Sequence, residues 1–89
     1  MLKTSVKIIN LLGLHARASA KFVATAASFQ SQIEVSHKTA TVNGKSIMGI
    51  MTLAAGQGTD LDLLIDGPDE QEMEKALVDL INRRFDEPE

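Results

Sequence analysis

Leu61, Leu63 and Ile65 alternate with Asp60, Asp62, Leu64 and Asp66, and that alternation constrains the fold of this chain more than anything else in it. Successive strand residues point to opposite faces, so a strand here has one apolar face and one face that is acidic except at Leu64. Residues 2–8 repeat the pattern, with Leu2, Thr4, Val6 and Ile8 set against Lys3, Ser5 and Lys7. Ile33 and Val35 do the same against Gln32, Glu34 and Ser36, and a short third strand follows at 40–42, after a turn at His37-Lys38. A sheet made from such strands buries one face and leaves the other wet.

The remaining segments have helical spacing. Residues 16–28 are rich in good helix formers, with Phe22, Val23, Ala26 and Phe29 near one stripe. Residues 46–54 form a short helix apolar on two sides: Ile50, Leu53 and Ala54 on one, Ile47, Met48 and Met51 on the other. Full burial of such a helix is hard to arrange in 89 residues, so one face is expected to meet a partner. Met73, Ala76, Leu77, Leu80 and Ile81 recur at i, i+3, i+4, i+7 and i+8. Asp69 is expected to cap this last helix, with Glu72 as its capping-box partner. Asp86 to Glu89 reads as a frayed acidic tail. The order β-α-β-β-α-β-α predicts an α+β domain spanning 1–89, with helices covering one side of an antiparallel sheet.

Composition narrows the function. The net charge of −3 argues against nucleic acid. No run reaches membrane-spanning length. The chain has no cysteine, which suits a reducing cytoplasm. Its two histidines show no metal spacing, so neither a metal nor a cofactor is expected. Gly44-Lys45-Ser46 fails as the end of a P-loop because Thr39 occupies the leading glycine position.

One constellation remains. Gly13-Leu14-His15-Ala16-Arg17 places a histidine where the first helix begins. Helix starts present N–H groups without intrahelical acceptors and a positive dipole end, which together attract anions. A histidine there is compatible with a cap, a solvated surface residue or a nucleophile. Gly13 allows a close approach to the helix, and Arg17 offers a planar fork suited to phosphate oxygens. These neighbours favour reversible phosphorylation of His15, with the phosphoryl group meeting the backbone of Ala16, Arg17 and Ala18. His37 has no such setting and reads as an exposed turn residue.

Leu12 to Arg17, together with Asn43-Gly44-Lys45-Ser46-Ile47-Met48-Gly49-Ile50, resembles HPr, the histidine phosphocarrier family of the bacterial phosphoenolpyruvate-dependent phosphotransferase system. The resemblance runs over nearly the whole chain. It implies an open-faced β-sandwich, with a four-stranded antiparallel sheet in the order 1-4-2-3 under three helices. It implies that His15 accepts phosphate on Nδ1 from enzyme I and passes it to an enzyme IIA, with Arg17 positioning the group. The protein is then a phosphoryl-transfer intermediate rather than a turnover enzyme. Ser46 matches the serine that an HPr kinase/phosphorylase modifies in some bacteria. Partners would dock through the first two helices, which accounts for Ile47, Met48 and Met51. A cytoplasmic monomer is expected. Ala18 departs from the family, most of whose members have proline there. The alternative is a docking module of the same fold whose phosphorylation state switches its binding to other proteins.

Overall fold

A computed structural model describes residues 1–89. Its elements are β1 (Leu2–Lys7), α1 (Ala16–Ala27), β2 (Gln32–His37), β3 (Ala40–Asn43), α2 (Ile47–Thr52), β4 (Asp60–Asp66) and α3 (Glu70–Asn82), followed by a 3-10 turn at Arg84–Asp86. The four strands form one sheet in the order β1-β4-β2-β3, and every neighbouring pair is antiparallel. No helix is long and apolar enough to cross a membrane.

Register puts the apolar residues in rows. Leu2, Ile65 and Ile33 lie across from one another, as do Thr4, Leu63, Val35 and Val42. Ile33, Val35, Leu61, Leu63 and Ile65 are buried and join one core with Ala18, Phe22 and Ala26 of α1, Ile50 of α2, and Met73, Leu77, Leu80 and Ile81 of α3. Each large side chain buried there contributes about 1.5–3 kcal/mol. On the opposite face, Ser5 lies across from Asp62 and donates to its carboxylate (2.6 Å), and the Ser36 and Thr41 hydroxyls pair at 2.9 Å. That face carries no helix, as the alternating pattern requires.

The structure corrects several boundaries. β1 stops at Lys7, because the Ile8 N–H bonds Thr59 O (2.8 Å) and its carbonyl accepts from Gly58 N (2.7 Å), both in the loop before β4. α1 ends at Ala27, where Ser28 turns its N–H back to Thr25 O (3.2 Å). α2 covers 47–52 rather than 46–54: Ser46 is its N-cap, and Ala54 takes a left-handed conformation (φ 51°) that leaves it exposed and buries Ala55 instead. His37 is no turn residue. It closes β2 opposite Ala40 and is half-buried, and Lys38 and Thr39 make the turn.

The Asp69–Glu72 capping box does not form. The Asp69 carboxylate instead accepts from Gln30 N (2.8 Å), Ser31 N (2.9 Å) and Ser31 Oγ (2.5 Å), tying the start of α3 to the segment after α1. Three such donors favour the ionised form. The Ser31 hydroxyl is the largest influence and holds the Asp69 pKa below its ordinary value.

The C-terminus is no frayed tail. Phe85 is fully buried, Lys21 Nζ donates to its carbonyl (2.7 Å), and Leu11 N donates to Glu89 O (2.9 Å). The acidic letters conceal one aromatic anchor, and burying it folds the last residues back over the start of α1.

Candidate functional site

The segment between β1 and α1 is built to hold His15 still. Gly13 N bonds Asn10 O (3.2 Å), and Asn10 Nδ2 returns to Gly13 O (2.9 Å), which closes a tight turn. Gly13 has φ 65°, and a Cβ there would run into the Ala55 carbonyl oxygen and Gly56 Cα. Both facts require glycine. The next residue, Leu14, is buried and donates its N–H to Ala55 O (2.8 Å). The loop is thereby fixed to the residues that follow α2.

His15 is the N-cap of α1, with extended backbone (φ −73°, ψ −178°). Its carbonyl accepts from Ser19 N (2.8 Å), and its ring Nδ1 accepts from Arg17 N (3.2 Å). An N-cap side chain accepting from the second helical N–H is the usual way to satisfy one orphan donor. Here an imidazole nitrogen takes the place of the usual oxygen. The other ring nitrogen, Nε2, contacts Glu87 Oε2. Glu87 Oε1 accepts from Asn10 Nδ2 (3.0 Å), so Asn10 ties the turn and the C-terminal segment together. Partial burial pushes the Glu87 pKa up. Hydrogen bonds from Asn10 and His15, with the positive charge of Lys21, outweigh it, and the net shift is downward. The carboxylate is therefore anionic.

The remaining expected residues divide. Ala16 and Arg17 are exposed beside His15, and the Arg17 side chain enters none of the ion pairs. A surface pocket of about 610 Å³ is lined by His15, Ala16, Arg17, Glu87 and the Leu11-Leu12 turn. Ala18 is fully buried in the core. Its amide is thereby withdrawn from solvent. Ser46 caps α2, with Oγ accepting from Gly49 N (3.0 Å). Ile47, Met48 and Met51 are exposed, Met48 at 74%. Leu11 and Leu12, beside His15, are exposed as well, Leu12 at 68%.

Glu87 and Asn10 escaped the sequence reading. Glu87 sits in what looks like a solvated acidic run. The available signal was Phe85, a lone aromatic two residues earlier that had to be buried somewhere.

Known proteins resemble this chain in sequence and in overall fold. A family model described as the phosphotransferase-system HPr component phosphorylation site matches residues 2–83. The phosphocarrier protein HPr of Neisseria meningitidis serogroup B is 57% identical over 89 residues, covering all of both chains. A crystal structure of HPr-C-His from Thermoanaerobacter tengcongensis superposes with a TM-score of 0.96 at 49% identity, again covering all of both chains. A second structure, described as an HPr dimer from the same organism, gives a TM-score of 0.78 at 50% identity, covering 98% of this chain and all of that one.

Proposed function

The chain belongs to the HPr family of phosphocarriers, and on that premise we propose that it carries its phosphoryl group on Nδ1 of His15, taking it from enzyme I and delivering it to an enzyme IIA. The observation that carries this reading is the Arg17 N–H donated to His15 Nδ1. A nitrogen that accepts a hydrogen bond has its lone pair available, and this one lies at the positive end of a helix.

In the transfer, the Nδ1 lone pair attacks phosphorus while the bond to the donor breaks and the donor keeps that electron pair. The Arg17 N–H loses its acceptor as the N–P bond forms. It turns to a phosphoryl oxygen, joined by the Ala16 N–H. The Arg17 guanidinium, free of ion pairs, adds a charge-assisted contact that strengthens as charge spreads over the equatorial oxygens. The same donors release the group when an enzyme IIA histidine attacks.

Ile47, Met48 and Met51, with Leu12 beside the nucleophile, supply the apolar surface on which these partners dock. Ser46, at the start of α2, is the regulatory site for an HPr kinase/phosphorylase. The protein works as a monomer in the cytoplasm.

Incubation with phosphoenolpyruvate and catalytic enzyme I, read by intact mass, tests the proposal. One phosphoryl group should be gained, lost in mild acid and retained in base, as a phosphoramidate is. An acid-stable adduct would place the group on some residue other than histidine.

A further inference from the structure

Glu87 is placed with more care than a terminal carboxylate requires. Arg84, Phe85 and Asp86 all adopt left-handed backbone, with φ of 58°, 54° and 61°. Side chains with a Cβ resist that conformation, and a run of three persists only where the surroundings hold it. Phe85 in the core, Lys21 on its carbonyl and Leu11 on the Glu89 carbonyl do so. The outcome is a carboxylate, its side chain 12% exposed, with one oxygen on Asn10 Nδ2 and the other on His15 Nε2.

We propose that Glu87 is a positioning residue for the phosphoryl transfer, an inference that rests on His15 being the carrier. An anionic carboxylate only accepts hydrogen bonds, so Nε2 opposite it must hold the proton. The lone pair then stays on Nδ1, the nitrogen that faces the helix start. As Nδ1 forms its bond to phosphorus, the ring becomes positively charged and the proton stays on Nε2. The Glu87 carboxylate lies opposite that charge, as the buried aspartate of a serine-protease triad does. When the phosphoryl group leaves, the bonding pair returns to Nδ1 and the ring is neutral again. Asn10 completes the device: its amide nitrogen can only donate, so it fixes which carboxylate oxygen is left for His15.

Glu87→Gln and Glu87→Ala test this beside the wild type. Imidazole ¹⁵N NMR, at a pH that leaves the ring neutral, reads the tautomer. The wild type should show the proton on Nε2. In Glu87→Ala both tautomers should be populated. In Glu87→Gln the amide oxygen stays on Asn10 and the NH₂ faces Nε2, so the proton should move towards Nδ1. Phosphoryl acceptance under limiting enzyme I should fall by roughly ten- to a hundredfold, as when a partner orienting a metal-bound histidine is lost, with glutamine at least as slow as alanine. Wild-type tautomers in both variants would overturn the proposal, and so would shifted tautomers with unchanged transfer. Because the spectrum is read without phosphate, it judges Glu87 even if the wild type forms no phosphohistidine, which would sink the carrier reading instead.

Discussion

Gly13→Ala should disable the site by moving the loop that carries it. Two separable penalties act there. The first is backbone strain, because alanine at φ 65° sits in the left-handed region, at about 1–2 kcal/mol. The second is collision, because the new Cβ meets the Ala55 carbonyl and Gly56 Cα, both backbone, and neither can rotate aside. Displacing that carbonyl also breaks the Leu14 N–H bond to it, worth about 0.5–1.5 kcal/mol. Strain and the lost hydrogen bond together come to about 1.5–3.5 kcal/mol, which in a domain of this length lowers Tm by roughly 6–28 °C. Gly58 and Gly56 supply the controls. Gly58 has φ 88° in open space, so Gly58→Ala isolates the strain, and Gly56→Ala meets neither obstacle. Thermal melts of the three variants should fall in the order Gly56→Ala, Gly58→Ala, Gly13→Ala, from least to most destabilised. At a temperature where it is folded, Gly13→Ala should also accept phosphate more slowly, since His15 lies two residues on. If Gly13→Ala costs no more than Gly58→Ala, the close approach to Ala55 is wrong.

Three further outcomes are expected. Arg17→Ala should leave Tm nearly unchanged, because the residue is exposed, yet slow transfer by roughly a hundredfold or more, the scale of losing one transition-state donor; equal rates in stopped-flow transfer would remove Arg17 from the site. Ser46→Asp should keep the fold, since aspartate caps helices as well as serine does, but weaken enzyme I binding by calorimetry, because a charge beside Ile47, Met48 and Met51 must be desolvated on docking; equal affinity would move the docking surface elsewhere. Asp69→Asn bears on pH. The folded pKa of Asp69 is lowered, so its contribution is present above the ordinary value of 3.8 and disappears as pH falls through the folded value. The variant should be the less stable at neutral pH and converge with wild type in acid, as followed by urea titration; a constant difference would mean that Asp69 acts by shape alone.

The sheet was legible because its strands alternate, and a period of two has one interpretation when one face is apolar and the other mostly polar. α3 was legible for the same reason at a period of 3.6. The end of α2 was harder, since Ala54 and Ala55 look alike in sequence, and only the left-handed turn at Ala54 decides which is buried. Asp69 behaved as a cap residue in sequence, but tertiary donors from Gln30 and Ser31 outcompeted the local partner. The helix start at His15 was visible from Gly13 and the alanine-rich run after it. Glu87 was not, because its position depends on how Phe85 packs, a long-range fact that charge and periodicity do not carry. Ala18 was misjudged for a related reason. The helix start suggests three free N–H groups, and the packing of α1 on the sheet removes the third from the surface.

His15 is proposed to be the one residue that enzyme I phosphorylates. The most direct measurement is the intact mass of His15→Ala after incubation with phosphoenolpyruvate and enzyme I, beside the wild type and with the thermal melt of each recorded. Wild type should gain one phosphoryl group, and His15→Ala should gain none while melting cooperatively. A phosphorylated His15→Ala protein would contradict the account.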